Sequence, residues 1–141
     1  MASLLFDSML YDLAKGSIDF DTDTFKVMLV TNAYSPNKGT HAKRSDVTNE
    51  VSGTGYTAGG AATTVTVTND TTNHRTDIAF SNPSWANSTI TARAAVIYKS
   101  RGGASSADEL VGYCDFGADV ASNNGTFQVT FNTPLRLTNP N

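Results

Sequence analysis

From Thr89 to Lys99 the chain alternates without a break: Ile90, Ala92, Ala94, Val96 and Tyr98 fall to one side, and Thr91, Arg93, Ala95, Ile97 and Lys99 to the other. A two-residue period cannot be wound into a helix without scattering its apolar residues around the axis, so this segment must be a strand. The same period governs most of the chain after Phe25. Phe25, Val27 and Leu29 oppose Lys26, Met28 and Val30; in Ala62 to Thr68, Val65 and Val67 oppose Thr64, Thr66 and Thr68; and Arg75 to Phe80 turns Ile78 and Phe80 inward. Leu110 to Phe116, Thr126 to Asn132 and Leu135 to Thr138 complete the set. The breaks between them carry turn chemistry: Asn69-Asp70-Thr71-Thr72-Asn73, Asn82-Pro83 and the glycine- and serine-rich Arg101 to Ser106. About seven short strands separated in this way predict an all-β fold, an antiparallel β-sandwich or barrel-like relative, formed by residues 1–141 as one domain.

This architecture accounts for an unusual composition. Thr, Ser and Asn supply 45 of the 141 residues, whereas charged residues make up only 16%. A β-branched hydroxyl side chain suits the solvent face of a pleated sheet and keeps it polar without charge. The net charge of −3 and the periodic apolar runs argue against charge-driven disorder. No apolar stretch approaches the roughly 18 residues that a membrane-spanning helix needs. A pI near 5.1, with ten basic residues spread along the chain, disfavours nucleic-acid binding. The single Cys114 excludes a disulfide framework within one chain. The first residues lack Lys or Arg and carry Asp7 and Asp12, which does not match a secretory signal and implies folding in a cytoplasm.

One helix is expected, over 3–16. Ser3 is placed to cap it, Leu5, Phe6, Met9, Leu10 and Leu13 form an apolar stripe, and Asp7, Ser8 and Asp12 fall opposite. Gly16 can adopt the left-handed conformation that closes a helix. So short a helix needs its stripe covered, either by the sheet of its own chain or by a neighbouring subunit. Residues 32–60 form a long polar connection whose last part, Asn49 to Gly60, contains four glycines. Connections of this length in a compact domain have a function or pack by their own side chains.

No catalytic constellation is visible. His41 and His74 have neither metal-ligand spacing nor a nucleophile nearby and read as surface residues. Cys114 reads as a buried structural thiol on the face shared by Leu110 and Phe116. Asp19, Asp21 and Asp23 resemble the start of a calcium loop, but Thr24 and Val30 occupy the positions where an EF-hand places Gly and Glu. Alternation instead places the three carboxylates in solvent with Ile18 and Phe20 inward. The glycine loop lacks the Lys-Ser/Thr ending of a phosphate cradle, so its glycines are expected to serve positive φ angles in an ordered turn. Neither a metal nor a cofactor is implied. Trp85, Tyr34 and Tyr56 could form a stacking platform in a carbohydrate-binding β-sandwich, although Trp85, beside a turn into the main strand, also suits the core.

The segment Asn49-Glu50-Val51-Ser52-Gly53-Thr54-Gly55-Tyr56-Thr57-Ala58-Gly59-Gly60 resembles the signature of a family of small virion structural proteins of tailed bacteriophages. The resemblance extends to Phe25–Thr31, Tyr34-Ser35-Pro36, Trp85–Thr89, Thr91–Lys99 and Tyr113–Gly117, and so covers nearly the whole chain. It departs at Cys114, where an aliphatic residue is expected, and in a more basic 37–46 segment. The resemblance implies a non-enzymatic virion component assembled in the host bacterial cytoplasm. The preferred position is that of a capsid decoration or cement protein on the outside of the shell; a neck or tail component is the alternative. The implied partners are the major capsid protein or other virion proteins, met as a homo-oligomer or multicopy lattice, without nucleic acid or membrane. The expected contact set is Leu5, Phe6, Met9, Leu10 and Leu13 with the 32–60 region.

Overall fold

Apart from Lys26 at its start, the run Phe25–Val30 is apolar on both faces and is best satisfied inside a sheet covered on both sides. The computed structural model, which describes residues 3–140, places it there. Among these residues the strands are β1 (Leu4–Leu5), β2 (Phe25–Val30), β3 (Ala61–Thr63), β4 (Val65–Asp70), β5 (Arg75–Phe80), β6 (Ser84–Ser88), β7 (Thr91–Lys99), β8 (Leu110–Ala121), β9 (Gly125–Gln128) and β10 (Leu135–Thr138), with one α-helix, α1 (Asp7–Ala14). They form three antiparallel sheets, ordered β1-β8-β7-β2-β3, β10-β5-β4 and β6-β9, and none closes into a barrel. The all-β, sandwich-like reading with a short N-terminal helix therefore holds, with ten strands rather than about seven.

The five-stranded sheet has a different cover on each face. Phe25, Val27, Leu29, Ala95, Ile97 and Val111 meet Ile78, Trp85 and Phe127 from the two smaller sheets, with Val129 just beyond β9, which makes the sandwich core. On the other face Met28, Val30, Ala94, Val96, Tyr98, Leu110 and Tyr113 are covered by Phe6, Tyr34 and Val47. Tyr34 and Val47 belong to the long 32–60 connection, so its first half is the second cover of the sheet and packs by its own side chains.

Two irregularities change the faces read from alternation. Opposite β7, Ala92 pairs with Val120 but Ala94 pairs with Asp115, so the extra residues of β8 bulge out and the inward side of β7 switches at Arg93. Ala92 consequently lies in the sandwich core with Ala95 and Ile97, while Ala94 joins Val96 and Tyr98 on the other face. A second slip, where Ile97 pairs with Gly112 and Tyr98 with Leu110, separates Cys114 from Leu110. Cys114 instead packs toward the sandwich core with Phe116.

The N-terminal segment also departs from expectation. Leu4 and Leu5 pair with Tyr113 and Gly112 as an edge strand, and the helix begins only at Asp7. Ser3 does not cap it; its hydroxyl accepts the Asp115 N–H at 2.9 Å, because an open strand edge competes for these residues. Phe6 takes the cap position with no side-chain cap, and Asp7 N–H donates to the Lys38 carbonyl. Asp12, expected in solvent, is buried beside Lys15, and its carbonyl accepts the N–H groups of Ser17 and Ile18.

Candidate functional site

The glycine loop is built onto β2. Asn49, at φ +61°, and Val51 exchange backbone hydrogen bonds with Thr31 and Leu29, so Glu50 bridges to Val30 as a short continuation of the sheet. One oxygen of the Glu50 carboxylate accepts the Tyr56 O–H at 2.6 Å and the Gly59 N–H at 2.7 Å. The Tyr56 hydroxyl in turn accepts the Leu29 N–H at 3.0 Å, and its ring packs on Trp85. From β7, the Tyr98 O–H donates to the Gly59 carbonyl at 2.5 Å. Burial and then the adjacent Glu50 carboxylate push the Tyr56 phenol well above its ordinary range, so it remains a protonated donor.

Close backbone approach explains the glycines. A Cβ on Gly60 would land on the Val27 carbonyl and 2.7 Å from the Met28 Cα. On Gly55 it would lie 2.7 Å from the Ser88 Cα, and on Gly53 2.7 Å from the Thr89 carbonyl oxygen. Residues 49–60 therefore form a buckle joining β2 to the start of β7. The Tyr56 hydroxyl and one Glu50 carboxylate oxygen are thereby committed to holding the loop on β2.

A second polar cluster has no periodic signal in the sequence. Asp108 and Glu109 are both buried. Arg101 grips Glu109 through two bonds of 2.7 Å, with Lys43 at 3.8 Å, and Arg44 meets Asp108 at 2.8 Å while stacking over the Tyr98 ring. The Arg101 guanidinium holds the Glu109 carboxyl below its ordinary range. The basic character of the 37–46 segment thus has an internal use, since Lys43 and Arg44 neutralise two buried carboxylates. The only advance hint is charge matching between 43–44 and 108–109, which no local spacing rule links.

The other chemical candidates are also accounted for. His41 is not a plain surface residue: it stacks on buried Tyr34, and its Nδ1 lies 2.9 Å from the Tyr34 hydroxyl and accepts the Asn37 N–H at 3.3 Å. His74 is exposed in the β4–β5 turn at φ +54°. Asp19 and Asp23 close a turn on themselves, Asp19 accepting the Asp21 N–H and Asp23 accepting the Asp19 N–H, while Lys99 pairs with Asp23 at 2.8 Å. Ile18 and Phe20 point inward as expected. Among the described residues no group of three or more His, Cys, Asp or Glu is placed to hold a metal ion. Trp85 and Tyr34 are buried and Tyr56 is committed to Glu50, so these three rings offer no open stacking face. Burial pushes the Cys114 thiol up to about 11, which makes it an unreactive side chain on the wall of a cleft.

Large apolar side chains also remain open to solvent. Of the expected contact set, Phe6 and Met9 are buried in the chain's own cores and Leu13 packs partly against them. Leu5 and Leu10 stay 38% and 54% exposed, joined by Tyr11 at 66%, which the sequence does not mark because it falls outside the stripe. Beside Leu5, a cleft of about 310 Å³ opens between β8 and the β5–β10 sheet, walled by Ile97, Val111, Cys114, Phe131 and Leu135. The stripe thus divides into an inner anchor and an outer ridge. No family model matches the chain, and neither a curated protein nor a solved structure matches it.

Proposed function

We propose that this protein is a structural component of a tailed-bacteriophage particle, acting as a decoration or cement protein on the outside of the capsid shell. The observation that carries this reading is the set Leu5, Leu10 and Tyr11, three large apolar side chains left in solvent, the first of them on the wall of an open apolar cleft. The resemblance of the 49–60 loop and its flanks supplies the particle. The composition suits the manner of binding: beside an apolar anchor, a chain with 45 Thr, Ser and Asn residues offers neutral hydrogen bonds that repeat with each copy on a lattice.

The test is reconstitution. Purified protein is added to particles that lack it, and the products are imaged. Density distributed over the shell is the expected outcome, and Leu10→Asp with Tyr11→Ser abolishes it. Density only at one vertex or along the tail transfers the protein to the neck or tail.

A further inference from the structure

We infer that the outer edge of β4 is a pairing edge for a second copy of this chain, the two β4 strands meeting antiparallel about a two-fold axis centred on Val67. β4 is the last strand of the three-stranded sheet. It pairs with β5 along its whole length, from Val65 opposite Phe80 to Asp70 opposite Arg75, and among the described residues no strand lies on its other side. An open edge presents a row of backbone donors and acceptors, and monomeric proteins blunt such edges with charge, proline, bulges or brevity. The other edges here carry such devices. β1 has two residues and β3 three, β10 lies between Pro134 and Pro140 and carries Arg136, and the β6–β9 pairing is irregular between Trp85 and Ser88. β4 reads Val-Thr-Val-Thr-Asn before its final Asp70, six residues with no proline and no charge until the end.

A second observation concerns the inward face of the same strand. Val65 and Val67 share the side of Ile78 and Phe80, the apolar layer of the sandwich, yet Val67 is 40% exposed. It forms one lip of a groove of about 350 Å³ floored by Leu13, Ile18, Phe20, Ile78 and Leu137. The groove lies over the inner face of β4, β5 and β10, with Asp19 and Asp21 also on its wall, and leaves Val67 open at the edge of the apolar layer, where one more strand beside β4 would cover it.

The strand is also complementary to itself. Pairing must keep inward residues opposite inward ones, since a one-residue slip would turn apolar side chains to solvent. Centring on Val67 satisfies this and uses the strand from Val65 to Asn69 in full. Val67 then faces the Val67 of the second copy, Val65 faces Asn69, and Thr66 faces Thr68 on the outer side. Asp70 meets Thr64, so no like charges oppose one another. A register centred on Asp70 would bring two carboxylates together. The dimer joins two three-stranded sheets into one of six strands.

The full chain tests this in solution without particles, so the outcome is separate from that of shell binding. Sedimentation from micromolar to millimolar concentration is expected to show a monomer–dimer equilibrium, and Val67→Lys, an inward charge at a partly exposed position, to shift it to monomer with an unchanged circular dichroism spectrum. In a Cys114→Ser background, Val67→Cys is expected to oxidise to a disulfide-linked dimer, because facing residues at the centre of an antiparallel pair lie within disulfide reach. Thr133→Cys, remote from β4, is the control and should not cross-link. A wild-type chain that stays monomeric at millimolar concentration overturns the inference. So does a dimer that survives Val67→Lys, or a Val67→Cys chain that cross-links no more than the control.

Discussion

The 49–60 loop and the Leu5–Tyr11 ridge are opposite kinds of surface segment. The loop is the most distinctive stretch of the sequence, and its polar anchors face the fold: Glu50, Tyr56 and Gly59 bond to one another and to β2, and Gly60 lies too close to the β2 backbone to admit a side chain. The ridge has no motif, yet it holds the most exposed large apolar side chains of the described residues, Leu10 and Tyr11. The difference teaches that a memorable sequence pattern marks where folding leaves little choice, whereas a contact surface needs only the right chemistry left uncovered. Substitutions in the loop should therefore act on stability and those on the ridge on binding.

The largest effect is expected from Gly60→Ala. The residue sits at φ +81°, and its new methyl would meet the Val27 carbonyl in the middle of the main sheet. Left-handed strain and backbone overpacking together place the loss at about 3–5 kcal/mol, read as a large drop in denaturant midpoint or in soluble yield. Gly102→Ala is the matched control: it has the same φ of +81° but nothing within 4 Å of the added atom, so only the conformational cost of about 1 kcal/mol remains. Equal losses at the two sites would show that close approach is not the reason for the glycine at position 60.

Next comes Glu109→Ala, which leaves the Arg101 and Lys43 charges without their shared partner. Because the lost carboxylate is buried but its cations reach solvent, the cost is expected at about 2–3 kcal/mol by chemical denaturation. Tyr56→Phe should cost about 1–2 kcal/mol, since it removes a donor from Glu50 and an acceptor from the Leu29 N–H while keeping the ring against Trp85.

Acid sensitivity separates these internal contacts from the exposed ridge in another way. The Gly117 N–H and the Arg93 guanidinium hold the Asp115 carboxyl down at about 2, and Glu109 is lowered by Arg101. Both groups are ionised in the fold at a pH where the unfolded chain already binds protons. Their contributions are complete above the ordinary carboxylate range and are lost as pH falls through the folded values. Stability should thus decline from about pH 4 toward about pH 2. Asp115→Asn should flatten that decline, and a pH profile identical to wild type would remove Asp115 from the account.

How much of this was legible in the sequence depended on how local its cause was. The strand character of Phe25–Val30 and Thr91–Lys99 follows from alternation alone, and Trp85 is buried as its place before the main strand allows. The switch of face at Arg93 was not legible, because it is imposed by surplus residues in β8 that share no local pattern with β7. The helix stripe shows the same limit. Its apolar period was visible, but β8 draws Leu4 and Leu5 into an edge strand and buries Phe6, which leaves Leu5 and Leu10 outside. In the Asp108-Glu109 cluster, Lys43 and Arg44 lie more than 60 positions from the carboxylates they meet, a distance at which single-sequence patterns carry no register.

The smallest effect on stability, and the sharpest separation of the two regions, belongs to the ridge. Leu10→Asp and Tyr11→Ser replace side chains that are 54% and 66% exposed, so each should move folding stability by no more than about 0.5 kcal/mol. Helix propensity supplies most of that cost at position 10, where Asp ranks below Leu, and almost none at position 11, where Ser and Tyr rank alike. If the ridge anchors the protein to a particle, the double variant should fold with the wild-type thermal midpoint and fail to bind, losing contacts of the kind that dominate protein interfaces. Binding that persists in the double variant would move the contact surface elsewhere on the fold. A collapse of the midpoint would show instead that Leu10 and Tyr11 belong, like Glu50 and Tyr56, to the interior of the chain's own design.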